Sequence, residues 1–158
     1  MQIEFTLNGR EYGVEVSPDE TLLELLRRLG MKSVKFACGK GNCGACTVLL
    51  DGRPVMSCIM LTPQVNGKAV VTVEGLASNG GLHPLQQAFI DLGAPQCGFC
   101  TPGMLMAAAG FLAENPDPTR DEVREAISGN ICRCSGYVAV VDAILEAARR
   151  MREEADNE

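Results

Sequence analysis

A chain of 158 residues, 46% of them hydrophobic, can bury one ordinary core or two small ones, which excludes a disordered chain. Its formal charge of −6, from 14 basic and 20 acidic residues, argues against nucleic acid or an anionic membrane as the main partner. No stretch reaches the roughly 18 apolar residues of a membrane span. Met1-Gln2-Ile3-Glu4 leads straight into a strand pattern without a charged or apolar leader, so a cytoplasmic chain is expected.

The first half reads as β-structure with one helix. Ile3, Phe5 and Leu7 alternate with polar residues, Asn8-Gly9 signals a hairpin turn, and Tyr12, Val14 and Val16 alternate again. Ser17-Pro18-Asp19-Glu20 has the form of a capping box with proline at the first helical position. Leu22, Leu25, Leu26 and Leu29 then give one apolar face, and Gly30 closes the helix. Beyond a loop rich in glycine and cysteine, strands are expected at Thr47–Leu50 and Val55–Cys58 around an Asp51-Gly52 turn, with a last one at Ala69–Val73. This element order is that of a β-grasp domain.

Residues 74–83, with Gly80-Gly81, read as a linker, and four helical patterns follow. They are marked by Leu85, Ala88, Phe89 and Leu92; by Met104, Ala108, Phe111 and Leu112; by a Thr119–Glu122 capping box with Val123, Ala126 and Ile127; and by Val138, Val141, Leu145 and Ala148. Arg149, Arg150 and Arg152 read as the wet face of the last helix. The expectation is an α+β chain: a domain over 1–76, then a small helical bundle over 77–158.

The eight cysteines fall into two sets of four with none left over. Cys38-x4-Cys43-x2-Cys46 followed by Cys58 has the spacing of plant-type two-iron, two-sulfide ferredoxins. Three ligands on one short loop can wrap a cluster while the fourth arrives from a neighbouring strand. Gly39, Gly41 and Gly44 let that loop turn sharply and aim N–H groups at sulfur. The second set, Cys97-x2-Cys100 and Cys132-x-Cys134, lies near two helix starts, whose positive dipole ends suit an anionic cluster. Zinc held by four thiolates is an alternative for this second set. Disulfides fit poorly, since a Cys-x-Cys bridge closes a strained ring.

The segments Cys38-Gly39-Lys40-Gly41-Asn42-Cys43-Gly44-Ala45-Cys46-Thr47-Val48, Gln96-Cys97-Gly98-Phe99-Cys100-Thr101-Pro102-Gly103-Met104 and Asn130-Ile131-Cys132-Arg133-Cys134-Ser135-Gly136-Tyr137 resemble the iron–sulfur part of the molybdenum hydroxylases, the xanthine oxidase and aerobic carbon monoxide dehydrogenase family. The resemblance implies a plant-type ferredoxin-like domain followed by a four-helix-bundle domain, each with one two-iron cluster. It also implies an electron-transfer subunit of an oxidoreductase complex. A large partner subunit would carry a molybdenum–pterin cofactor and a medium one FAD, in a heterotrimer or its dimer. The set Cys97, Cys100, Cys132 and Cys134 would lie nearer molybdenum, and Cys38, Cys43, Cys46 and Cys58 nearer flavin. Gln96 and Cys134 match the residues that touch the pterin of the partner. For Gln96 the residues alone suggest a helix-end capping amide.

His83, the lone histidine, precedes Pro84 and reads as structural, and Met104 as core. Tyr137 reads either as a buried anchor or as a partner contact. No catalytic constellation can be assembled around His83, so the chain is expected to move electrons and make no bonds of its own. Two other functions stay open: a free two-cluster redox carrier, for which residues 1 to about 75 would suffice for a single cluster, and a zinc-stabilised interaction module.

Overall fold

The computed structural model describes residues 1–77 and 80–157. Strands β1 (Gln2–Leu7), β2 (Arg10–Glu15), β3 (Thr47–Leu50), β4 (Arg53–Met56) and β5 (Ala69–Val71) form one sheet in the order β2-β1-β5-β3-β4. β1 runs parallel to β5, and the other pairings are antiparallel. Both hairpins turn on two residues in the left-handed region, Asn8-Gly9 and Asp51-Gly52. Such turns match the natural twist of the flanking strands. Ile3, Phe5 and Leu7 point inward as their alternation requires, and helix α1 (Leu22–Arg28) covers them with Leu22, Leu23, Leu25 and Leu26. Burying each such leucine contributes about 1.5–3 kcal/mol.

Helix α1 does not start where the sequence suggested. Ser17 to Glu20 is a turn, closed by the Glu20 N–H on the Ser17 carbonyl, and the helix is capped by a second box, Thr21 with Glu24. Tertiary pairing decides between the two boxes. Thr21 bridges Leu61, the Thr62 N–H binds the Glu20 carbonyl, and the Leu22 N–H binds the Met60 carbonyl, so residues 20 and 21 are held extended. Strands β4 and β5 end earlier than expected, at Met56 and Val71, each giving way to a 3₁₀ turn.

The second half is helical: α2 (Pro84–Asp91), α3 (Thr101–Glu114), α4 (Arg120–Ala126) and α5 (Tyr137–Asp156). They share a core that includes Leu85, Phe89, Met104, Val123 and Ile144. The inward face of α5 is Val140, Val141, Ala143, Ile144, Ala147 and Ala148, whereas Val138 is 71% exposed. Leu92 caps the end of α2 and is also part-exposed. Among Arg149, Arg150 and Arg152, each makes ion pairs with carboxylates of α5, Asp91 or Asp117.

Helix α3 joins the two halves. It is buried on nearly all sides, because one side packs in the bundle and the other lies on β3 and β4. Glycines permit that approach: a Cβ at Gly110 would come 2.5 Å from the Pro54 ring, and one at Gly103 would come 2.3 Å from the Gly44 carbonyl oxygen. The start of the expected linker is tied down. Glu74 accepts from Ser33 and Thr72, while Val73 and Leu76 pack against the helical core. Ser78 and Asn79, within that stretch, lie outside the described residues.

His83 is structural, as its sequence context suggests. Its Nδ1 accepts the Leu85 N–H at 3.1 Å and so caps α2. Burial holds its pKa below the ordinary 6.5, against an opposing pull from Glu154. Only the neutral ring can cap, so its contribution is whole above the ordinary value and is lost as pH falls from there towards the lowered folded value. His83→Asn, which keeps a capping oxygen, should therefore show a smaller drop in thermal midpoint than wild type between about pH 7.5 and 5.5. Equal drops in the two proteins would show that His83 does not titrate against the fold.

Candidate metal centres

The first cysteine set is assembled by a loop and a hairpin. Cys38, Cys43 and Cys46 lie between α1 and β3, and Cys58 sits in the 3₁₀ turn after β4. The β3–β4 register pairs Thr47 with Met56, so Cys46 and Cys58 emerge side by side from the same end of the hairpin. The Cys46 carbonyl secures this by accepting from the Ser57 hydroxyl at 2.8 Å. Cys46 and Cys58 are buried in the N-terminal core, and burial together with the neighbouring Cys46 thiol pushes Cys58 up to about 11.

Cys38 and Cys43 form the outer pair, in side-chain contact with each other. The N–H groups of Lys40 and Asn42 point at Cys38 Sγ from 3.4 and 3.3 Å, and they hold its thiol down at about 6. This inward curl of the backbone needs left-handed residues, as at Gly41, where a Cβ would also strike Ile59 at 2.8 Å.

The second set is built by loops at two helix starts. Cys100 is the N-cap residue of α3, and Cys132 and Cys134 precede the Gly136 cap of α5. Cys100 contacts Cys132, and both pack against the helical core. Burial, then the contact with Cys132, pushes Cys100 up to about 12. Cys97 contacts Cys134 at the surface, its pKa lowered by the Phe99 N–H. Cys132 is also buried in part, yet N–H groups of Gly136, Cys134 and Ser135 outweigh the burial and lower its pKa. Each set is thus two thiol pairs, one inner and one outer. Among the described residues no three His, Cys, Asp or Glu side chains gather as ligands of a single ion would. All eight thiols are free.

Gln96 is exposed and lies in the loop before Cys97, well past the end of α2, so it caps no helix end. Its Nε2 donates to the Cys134 carbonyl at 3.3 Å, joining the two outer cysteines of its set. Tyr137 is 38% exposed, and its hydroxyl accepts the Cys132 N–H at 2.7 Å.

Sequence reasoning assigned no role to the residues that join the two sets. The Ile131 N–H donates to the Cys43 carbonyl at 2.9 Å, which places one hydrogen bond and one residue between Cys43 and Cys132. The buried Asn130 donates to the Gly44 carbonyl at 3.0 Å. A polar residue in a loop carries no mark of burial, so Asn130 was not legible. Gly103 did carry a signal, because glycine inside a helix costs about 1 kcal/mol against alanine and calls for a packing reason.

The sequence matches the 2Fe-2S iron-sulfur cluster binding domain over residues 5–77 and a second 2Fe-2S binding domain over 72–145. It is 46% identical to the nicotinate dehydrogenase small FeS subunit of Eubacterium barkeri, over 94% of this chain and 95% of that one. It is 49% identical to the nicotine 6-hydroxylase small subunit of Paenarthrobacter nicotinovorans, over 93% and 89%. The chain belongs to the molybdenum hydroxylase family, as an iron–sulfur subunit. Quinoline 2-oxidoreductase from Pseudomonas putida superposes on 97% of this iron–sulfur subunit and 96% of the matched chain, with a TM-score of 0.92 and 46% identity. Aldehyde oxidoreductase from Desulfovibrio desulfuricans matches with a TM-score of 0.93 and 46% identity, but over only 17% of its own length. The same unit therefore occurs both as a separate chain and inside a larger one. The separate-chain relatives are small subunits of oxidoreductases, which implies larger partner subunits, and two 2Fe-2S centres belong to this subunit.

The close contact at Gly103 predicts a specific sensitivity. Gly103→Ala drives a methyl group into the Gly44 carbonyl and should destabilise the subunit by about 1–3 kcal/mol through overpacking. Gly129→Ala, whose nearest neighbour would be 3.7 Å away, serves as the control and should lie within about 0.5 kcal/mol of wild type. Denaturant midpoints of the two variants decide it, and equal midpoints would show that the two halves can separate there without cost.

Proposed function

We propose that this subunit relays electrons from a molybdenum–pterin site on a large partner to a flavin on a medium partner, within a cytoplasmic heterotrimer or its dimer. Residues 1–76 and 77–158 act as two domains, with Cys38, Cys43, Cys46 and Cys58 holding one cluster and Cys97, Cys100, Cys132 and Cys134 the other. The observation that carries the reading is the pairing of the thiols. A two-iron cluster takes two thiolates on each iron, so inner and outer pairs suit it, whereas one zinc ion draws four thiolates to a single point. When bound, each cluster supplies a site for one electron.

The chain's own residues do the rest. Backbone N–H groups around Cys38 and Cys132 stabilise negative charge on sulfur, which favours the reduced state. The outer pair Cys97 and Cys134 lies at the surface beside Gln96, a position suited to the molybdenum side. The inner Cys132 leads through Ile131 to Cys43. Phe99, Ile131 and Val138, on the segments of the second set, are 46%, 56% and 71% exposed, while Phe36 and Ile59 by the first set are 64% and 61% exposed. Apolar side chains bared at both sets favour lasting partners over the brief encounters of a free redox carrier.

Metal analysis of the isolated subunit should give about four irons and about four acid-labile sulfides per chain. Cys43→Ser and Cys100→Ser should each remove a different electron paramagnetic resonance signal from the reduced protein. About two irons with zinc as the balance would sink the second cluster, and one common signal lost in both variants would overturn the four-plus-four partition.

Gln96 gives a separate test of the molybdenum end. With Nε2 on the Cys134 carbonyl, its Oε1 would serve as the acceptor for a donor on a partner's cofactor. Gln96→Ala should leave both clusters assembled. Loss of a hydrogen bond in a buried interface, worth on the order of 1–3 kcal/mol, should then lower molybdenum occupancy or slow reduction by substrate in the reconstituted complex. Wild-type occupancy together with a wild-type reduction rate would leave Gln96 as a loop brace only.

A further inference from the structure

We infer that Asn130 is a positioning residue, whose side-chain amide clamps the loop of Cys132 and Cys134 onto the loop of Cys38, Cys43 and Cys46 and so fixes the separation between the two centres. The inference rests on the two-cluster reading for its consequence, though the clamp itself is a property of the fold.

Asn130 is only 6% exposed, and it reaches across 86 positions of sequence to the first cysteine loop. Its Nδ2 lies 3.0 Å from the Gly44 carbonyl oxygen and 3.4 Å from Thr47 Oγ1. That carbonyl is already served locally, by the Thr47 N–H at 3.1 Å and the Thr47 hydroxyl at 2.7 Å. Asn130 is therefore not required to satisfy Gly44. What it adds is the one side-chain hydrogen-bonding group that joins these two loops among the described residues. The next residue grips the same stretch, because the Ile131 N–H binds the Cys43 carbonyl.

The site admits little else. A Cβ on Gly44 would lie 2.6 Å from the Gly129 carbonyl oxygen and 2.7 Å from Asn130 Nδ2, so there is no slack between the loops. Aspartate would present acceptors to a carbonyl, and glutamine would need room for one more methylene. The Ile131 bond is a backbone bond that any residue but proline could make. The Asn130 bond depends on its side chain, so it is the half of the grip that substitution can release. Releasing it frees the loops to part, and the Ile131–Cys43 bond opens with them.

Two readouts on the iron-loaded subunit test this. Hydrogen–deuterium exchange followed by mass spectrometry reports opening of the Ile131 N–H, and paramagnetic resonance reports the magnetic interaction between the two reduced centres. Asn130→Ala should keep wild-type iron content, quicken exchange at Ile131 by about fivefold to 150-fold, and weaken the magnetic interaction, while exchange at Leu25 in the other core stays unchanged. Wild-type exchange at Ile131 in an iron-replete variant overturns the proposal. If Asn130→Ala loses iron, Asn130→Ser decides: it keeps a polar group but lacks the reach, and it should hold iron yet show the faster exchange. Loss of iron in both variants also overturns the proposal, because Asn130 would then be needed to hold a cluster and not to space two. Should wild type lack two magnetic signals, the two-cluster reading fails, while exchange at Ile131 still judges the clamp.

Discussion

The structure depends on one crowded peptide. The Gly44 carbonyl, inside the first cysteine loop, receives two bonds from Thr47 and one from Asn130, and it leaves no room for a side chain on Gly103 of α3. Three segments that carry cysteines or adjoin them converge there. Each half has its own hydrophobic core, and helix α3, which belongs to one and lies on β3 and β4 of the other half, joins them. Where the cysteine loops meet, backbone approaches backbone at a glycine. Hydrophobic burial is non-directional and tolerates sliding, whereas a hydrogen bond between loops tolerates very little.

The second constraint is charge. Eight thiolates in a chain that already carries −6 would be costly to gather near a protein interior. No lysine or arginine side chain is bonded to a cysteine sulfur among the described residues. Compensation comes from backbone dipoles: N–H groups of the glycine-rich loop around Cys38, and the starts of α3 and α5 beside the second set. Dipoles held by the backbone do not move when an electron arrives, so charge is stabilised without rearrangement. The two solutions are different in kind, a curled loop in one half and helix ends in the other. The two sets of four cysteines are thereby given unlike surroundings.

Much of this was legible in the sequence, and the failures have physical causes. The strands, the four later helices and both sets of cysteines followed from alternation, helical spacing and Cys spacing. Ser17-Pro18-Asp19-Glu20 misled because two capping boxes overlap, and only pairing of Glu20 and Thr21 with the 60–62 segment selects the second. Val138 was assigned inward because valine fits an apolar stripe, yet the first turn of α5 lies at the cysteine-bearing end, where the bundle stops. Helix α3 looked one-sided because α-helical spacing was sought for one core; Ala107 and Gly110 are buried as well, because another side of the helix lies on β3 and β4. Asn130 stayed hidden inside a recognised motif, as local sequence does not reveal a bond made 86 positions away.

The arrangement of pairs gives the chain a direction. In each set the inner thiols lie in a core (Cys46 with Cys58) or pack against one (Cys100 with Cys132), and the outer thiols lie towards the surface. The halves are not stacked inner pair against inner pair. The inner Cys132 leads to the outer Cys43, so the second set is buried on the side that faces the first and open on the side bearing Gln96 and Cys97. The offset sets the inner thiol of one half beside the outer loop of the other. Offsetting them lets one peptide stretch, Cys43–Gly44, serve as wall of the first site and as anchor for the second. The spacing of the cysteines along the chain shapes each set. The spacing between the sites rests on residues that bind no metal.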